Sequence, residues 1–291
     1  MNNKLDFKAK KPQLVIGLDI GGTKIRGVLM AGDKILKKAE RKYADKPNTK
    51  IFQETLFKVL DSLYEKEVKK IGIGIAGVVS NNQVIAAGNL KVSIGFNFEK
   101  IIRNKYNAKV FLTNDVNASL LYELKNLKNI SSVFMLTLGT GVGGAYYANN
   151  KIIKGSFDSA YEVGMMIIDN KNLLNVEQFC SEKFFKNKKV DPLKSEILAR
   201  NKDKNHQKLW QEFGKNLGIV IGNLSNLLEP ELFLIGGGLS HAWPLFISNT
   251  KKTARDLILS PYAKKNLKII KQKNIKFAGA IGAGYFIEDN Q

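Results

Sequence analysis

The chain has few of the residues that cross-link, ligate metal or read nucleic-acid bases. A single cysteine, Cys180, in 291 residues excludes an internal disulfide framework and fits a reducing cytoplasm. The only histidines, His206 and His241, read as surface or packing residues rather than ligands. No uninterrupted apolar run approaches the roughly 20 residues that a membrane span needs, and residues 1–11 have no apolar stretch of the signal-peptide kind. These absences predict a soluble cytoplasmic protein with no membrane partner. Acidic residues are also scarce: 26 against 46 basic ones leave a net charge of +20. Such a balance suits a phosphate-rich partner, but the only arginines are Arg26, Arg41, Arg103, Arg200 and Arg255, and arginine is the usual base reader. Lysines are spread along the chain, thickest at residues 183–204 and 264–276, and read as a general lysine-rich surface. Nucleic acid is therefore not expected as a partner, although the charge favours anionic substrates.

What the sequence does have is a glycine-rich hairpin that occurs twice at one constant offset. Gly22-Thr23 answers Gly139-Thr140, Gly27 answers Gly144, Ala31 answers Ala148, and Lys34-Ile35 answers Lys151-Ile152. Each copy reads as apolar strand, glycine turn, apolar strand, then a second tight turn at Gly32-Asp33 or Asn149-Asn150, where residues tolerant of positive φ are needed. The second copy formally contains the dinucleotide fingerprint, with glycines at 139, 141 and 144. That fingerprint must open a helix, whereas Ala145-Tyr146-Tyr147-Ala148 is β-prone and ends in a turn, so dinucleotide binding is rejected. Two such loops facing each other would hold a polyphosphate.

Around the first copy, residues 14–18, 25–30 and 34–38 read as strands, and Ile51, Leu56, Val59, Leu60 and Leu63 form an amphipathic helical stripe. A buried strand follows at 71–75, then a helix capped by Asn97, a strand at 110–112 ending in Thr113-Asn114-Asp115, and a helix over 116–127. From Val133 the order starts again. In the second half, residues 208–228 form a long helix stopped by Glu229-Pro230, residues 232–235 form a buried strand delivering Gly236-Gly237-Gly238, and residues 278–285 are small enough for a closely packed terminal helix. Length and repetition predict two α/β domains around a cleft, a smaller one over residues 12–115 and 277–291 and a larger one over residues 116–276. Loops at the carboxyl ends of strands in such units line the crevice, where Asp19, Asp115 and the glycines would converge.

Asp19 ends a strand directly before Gly21-Gly22-Thr23-Lys24. Backbone N–H groups of a glycine turn form an anion-binding concavity, the hydroxyl and lysine add donors, and a carboxylate beside phosphates anchors Mg²⁺ through water. The alternative is that Asp19 caps the turn. Asp115 lies at another strand end, where one carboxylate could accept the proton of an alcohol during phosphoryl transfer; as the alternative, Asp115 or Thr113 caps the helix that follows.

Five segments in register, Asp19-Ile20-Gly21-Gly22-Thr23-Lys24, Asn114-Asp115-Val116-Asn117-Ala118, Leu138-Gly139-Thr140-Gly141-Val142-Gly143-Gly144, Glu162-Val163-Gly164 and Leu234-Ile235-Gly236-Gly237-Gly238, resemble the ROK family of sugar kinases and repressors. The resemblance covers residues 14–285. It implies a ribonuclease H-like, actin-like ATPase fold, ATP and Mg²⁺ as cofactors, and a glucokinase-type activity on a hexose, glucose at its 6-hydroxyl leading. It implies that Asp115 is the catalytic base and that Asn114, Glu162 and, at the family's Glu-x-x-x-Ser spacing before Ser181, Glu177 bind the sugar. Asn89 resembles the Asn-Leu turn beside the sugar. Gly21, Gly22, Thr23 and Lys24, with Gly139, Thr140 and Gly141, would hold phosphates, and Gly236, Gly237 and Gly238 would lie against the nucleoside. A homodimer is implied by the resemblance alone.

One departure stands out. The family usually follows Glu-x-Gly with a histidine that touches sugar and binds structural zinc, and a cysteine cluster completes that site. Here the position is Met165, and between it and Ser181 only Cys180 is available, so no zinc is expected. Losing that histidine also removes a sugar contact, which raises a weakly active or inactive sugar-binding sensor as the alternative, along with kinases for mannose, fructose or N-acetylmannosamine and polyphosphate as donor. A repressor needs an added helix-turn-helix, and the dozen or so residues before the first strand are too few for one.

Overall fold

The computed structural model describes residues 12–45, 47–88, 90–273 and 276–289. Two compact units divide after Ala118 and after Ala278: the residues up to Ala118 with those from Gly279 onward, and Ser119–Ala278.

In the first unit, β1 (Leu14–Ile20), β2 (Lys24–Ala31) and β3 (Lys34–Lys42) form an antiparallel meander. Helix α1 (Thr49–Leu63) follows, its start capped by the Asn48 side chain, which accepts the Ile51 N–H. Then come β4 (Lys70–Ile75), a hairpin of β5 (Val78–Ser80) and β6 (Gln83–Ala86), α2 (Phe98–Tyr106), β7 (Lys109–Asn114) and α3 (Asp115–Leu124). Asn97 caps α2 by accepting the Lys100 N–H, and Asn107 ends it in the left-handed region. The sheet runs β3-β2-β1-β4-β7, with β4 parallel to both β1 and β7. Its core joins Ile16, Leu18 and Ile20 to the α1 stripe of Phe52, Leu56, Val59, Leu60 and Leu63, all fully buried.

The second unit repeats this plan. β8 (Ser132–Leu138), β9 (Val142–Ala148) and β10 (Lys151–Ile153) form its meander. A small hairpin of β11 (Ile167–Asp169) and β12 (Leu174–Asn175) leads to α4 (Glu177–Cys180), α5 (Glu182–Asn187), α6 (Pro192–Arg200) and α7 (Lys204–Leu228). β13 (Leu232–Gly236), α8 (Trp243–Leu257), α9 (Pro261–Asn266) and β14 (Ile269–Lys271) complete it. The sheet order is β10-β9-β8-β13-β14, position for position that of the first sheet. Trp210, Phe213, Leu217 and Ile221 of α7 pack with Phe134, Phe233 and Phe246 in its core. Among the described residues no helix is long and apolar enough to cross a membrane.

The terminal helix α10 (Ala278–Asp289) returns to the first unit, where bare backbone makes room for it. A Cβ on Gly17 of β1 would meet the Ala280 carbonyl, and one on Gly72 of β4 the Ala283 carbonyl. The small residues read from the sequence are therefore matched by two strand glycines beneath them.

Some boundaries differ from the sequence reading. α3 begins at Asp115 and stops at Leu124, because residues beyond it close short turns through Asn126 N–H to Glu123 O and Leu127 N–H to Leu124 O. α7 begins earlier, at Lys204, because Asp203 caps it by accepting the Asn205 and His206 N–H groups. At its other end Glu229 takes φ 43°, and Pro230 follows.

Candidate functional site

Both glycine turns join the first two strands of their sheets; between the innermost partners, Ile20↔Ile25 and Leu138↔Val142, the first spans four residues, 21–24, and the second three, 139–141. The constant sequence offset holds along the second strands, where Ile25 answers Val142 and Gly27 answers Gly144, and the first turn carries the extra residue ahead of them. In the first turn the Gly21 N–H donates to the Lys24 carbonyl at 3.1 Å; in the second, the Gly139 N–H donates to the Gly141 carbonyl at 3.0 Å. The next two amides, Gly22 and Thr23 in one, Thr140 and Gly141 in the other, find no acceptor among the described residues. Consecutive unpaired N–H groups on a tight turn are the donor set that a phosphate takes up, so both turns fit a nucleotide's anionic groups.

Asp19 stands at the end of β1, opposite Arg26 of β2 in the antiparallel register. The guanidinium lies 3.7 Å from the Asp19 carboxylate and donates to Glu40 at 2.7 Å. The Asp19 side chain is 22% exposed, and burial pushes its carboxyl above the usual range while Arg26 and Lys24 pull against that rise. Tyr43 closes the turn from the far edge: its hydroxyl donates to the Gly21 carbonyl at 3.2 Å and its N–H to the Thr23 carbonyl at 3.1 Å. Burial and the nearby Asp19 charge hold that phenol protonated. Helix α10 lies over Asp19 at Gly279, where a Cβ would stand 3.0 Å from the carboxyl carbon. A carboxylate so placed, one turn from unpaired amides, suits Mg²⁺ through water.

Asp115 lies at the same end of the same sheet. Asp19 is level with Gly74 and Gly74 with Thr113, so two strand spacings, about 10 Å, separate β1 from the β7–α3 junction. Gly74 lets the first turn of α3 approach, since a Cβ there would stand 2.9 Å from that of Ala118. Asn114 caps α3, accepting the Val116 N–H at 2.8 Å and the Asn117 N–H at 3.3 Å, while its amide donates to the Gly77 carbonyl at 3.0 Å. Asp115 accepts the Val116 N–H at 3.0 Å. The cap is thus neither Thr113 nor Asp115 alone, and the buried Thr113 hydroxyl has no hydrogen-bond partner among the described residues. Asn89 lies outside the described residues.

In the second unit, Glu177 opens α4 with its side chain 14% exposed. Its carboxylate accepts the Val142 N–H at 3.3 Å and pairs with Lys183 of α5. Gly141 and Gly164 face it, and a Cβ on either would crowd the carboxyl. Ser181 is buried; it donates to the Glu177 carbonyl at 2.6 Å and accepts the Lys183 N–H, and the neighbouring Glu182 N–H ties α5 to the Gly139 carbonyl at 2.8 Å. Glu162 precedes a short 3-10 turn, open to solvent yet crowded by protein, so burial first and the Glu177 charge second push its carboxyl up. At the end of β13, Gly237 holds φ 82° and packs against Leu138 so closely that a Cβ would strike its backbone, while Gly238 faces open space. Arg26, Tyr43 and Lys183 are the contributors that motif reading missed.

The donor set does not fit structural zinc. Met165, 53% exposed, sits after Gly164 with its sulfur 3.9 Å from the Asn175 amide nitrogen, and Cys180 is buried with its thiol pushed far up by burial. Among the described residues no group of three or more His, Cys, Asp or Glu side chains is arranged to hold a metal ion.

A family model described as ROK family matches residues 15–290. The chain is 28% identical to the xylose repressor of Caldicellulosiruptor bescii, over 88% of this chain and 73% of that one. It is 26% identical to the glucokinase of Streptomyces coelicolor, over 93% and 96% of the two chains. Among solved structures, a ROK family glucokinase from Streptomyces griseus in complex with glucose and AMPPNP superposes with a TM-score of 0.81 at 22% identity, covering 94% of this chain and 98% of that one.

Proposed function

The chain belongs to the ROK family and has its ribonuclease H-like, actin-like ATPase fold, and from that premise we propose that it is an ATP-dependent sugar kinase, acting on a hexose with glucose at the 6-hydroxyl as the leading substrate. The observation that carries this reading is a glycine turn at the corresponding place in each sheet, each offering two adjacent amides that no described residue accepts. A ligand-binding protein without turnover has less use for two matched phosphate cradles.

In this reading Asp115 accepts the proton of the attacking sugar hydroxyl, and Asn114, Glu162 and Glu177 hold the ring by its hydroxyls. The amides of Gly22 and Thr23 and of Thr140 and Gly141, in turns that Gly21, Lys24 and Gly139 complete, receive phosphate oxygens, and Gly236 to Gly238 leave room for the nucleoside. Asp19 would hold Mg²⁺ through water, and such an ion would supply charge neutralisation for the transferring phosphoryl group. Arg26 and Lys24 oppose the rise that burial imposes on the Asp19 carboxyl. The same reading puts the protein in the cytoplasm, where ATP is abundant, as a homodimer, which sedimentation velocity checks.

The test is an ADP-release assay with Mg-ATP across glucose, mannose, fructose, glucosamine, N-acetylmannosamine and allose. Sugar phosphate forms with at least one of them, and Asp115→Ala lowers turnover about 10²- to 10⁴-fold while sugar binding persists. Absence of product with every sugar rejects the kinase. A second reading, a sugar-binding sensor, is favoured by Met165 where the family has histidine and by the repressor relative. Calorimetry that detects sugar binding in a protein without product would select it.

A further inference from the structure

Glu177 is held from three directions, and one of them has no part in the roles assigned above. Its Oε1 accepts the Val142 N–H, its side chain rests against Gly141 and Gly164, and its Oε2 takes the ammonium of Lys183. Lys183 lies on the open side of that pair, its side chain 42% exposed against 14% for Glu177. Beside them stands Glu162, close enough for the two carboxylates to repel each other. The local charges are thus two acids and one base, the base being the more exposed member of its pair.

We propose that Lys183 is a specificity-determining positioning residue: it fixes Glu177 against the glycine turn and biases this carboxylate pair toward neutral polyhydroxy sugars over amino sugars. The inference rests on the sugar-kinase reading. A sugar hydroxyl gains a charge-assisted hydrogen bond from Glu162 or Glu177 and is nearly indifferent to an ammonium a few ångströms further off. A protonated amino sugar is not indifferent, because the attraction of the carboxylates is opposed by the like charge of Lys183, paired to one of them. Discrimination here comes from a repulsive element as much as an attractive one.

Calorimetric affinities for glucose and glucosamine decide it, measured on the wild type, Lys183→Met and Lys183→Arg where the sugar amine is protonated. The ratio of glucosamine to glucose affinity rises about tenfold in K183M, the size expected for removing one like charge from a partly buried site. It returns to the wild-type value in K183R, and the gain disappears at a pH where the amine is neutral. An unchanged ratio in K183M, or a rise that persists with the neutral amine, overturns the inference while leaving the kinase reading intact. Loss of both sugars in K183M and K183R alike also overturns it, since packing rather than charge would then be at work. A wild type that binds neither sugar overturns the inference, and the product assay across the full sugar panel then decides the kinase reading separately.

Discussion

Asp19 shows what a single residue can carry. Its carboxyl is raised above the ordinary value by burial, with Arg26 and Lys24 opposing. The folded state therefore favours the neutral acid, and the stability it contributes is present below the unfolded pKa and lost as pH rises through the folded one. Asp19→Asn should be more stable than the wild type in metal-free buffer at neutral pH, by about 0.5–2 kcal/mol, as is usual when a functional group's burial is relieved. Denaturant titrations below about pH 3, where the wild-type acid is mostly protonated in both states, should bring the two together. A D19N protein less stable at pH 7 would mean that the Arg26 pair outweighs burial. The position of Asp19 was legible because a strand followed by Gly-Gly-Thr-Lys is local chemistry. Arg26 is harder to find, since the Asp19↔Arg26 pair needs four residues, 21–24, between the innermost partners Ile20 and Ile25, and the sequence alone does not fix that count. Tyr43 could not be found from it: it reaches Gly21 only because the third strand folds back beside the turn.

At the scale of elements, the hairpins and helices were readable wherever periodicity and caps agreed, as in α1 and α2. The β5–β6 hairpin was missed, although its turn is Asn81-Asn82, both at positive φ, the same dipeptide that marks the Asn149-Asn150 turn. Short strands of three and four residues lack a periodic signal long enough to notice. The Asn82 side chain then straps this hairpin to β7, donating to the Val110 carbonyl and accepting the Leu112 N–H. Glycines tell a similar story. Gly214, Gly218 and Gly222 on α7 let α8 pack close, and Thr250 donates across to the Gly214 carbonyl at 3.0 Å. Gly72 does the same for α10, which makes it a sharp test. Gly72→Ala should cost about 1–3 kcal/mol through overpacking against the Ala283 carbonyl, whereas Gly88→Ala, which meets nothing within 4 Å, should stay within about 0.5 kcal/mol. Equal costs in urea melts would show that α10 does not rest on bare strand backbone.

For the whole molecule, the charge of +20 has a kinetic consequence within the kinase reading. A nucleotide polyanion should be drawn in faster than a neutral sugar, so raising salt from about 20 to about 300 mM should lower kcat/KM for ATP several-fold while KM for the sugar barely moves. A flat ATP dependence would reduce the lysines to surface solvation. The same scale separates what the chain declares from what folding decides. By itself the sequence determined the repeated hairpin, the strand-end acids Asp19 and Asp115 and the lack of a zinc donor set, because turn chemistry, periodicity and ligand identity are local properties. Only the tertiary structure decided that both sheets share one strand order, that the Tyr43 hydroxyl reaches the Gly21 carbonyl, and that the Gly77 carbonyl takes the Asn114 amide. Those facts depend on which distant backbone and side-chain groups are brought within hydrogen-bonding reach, and no local pattern encodes such a distance.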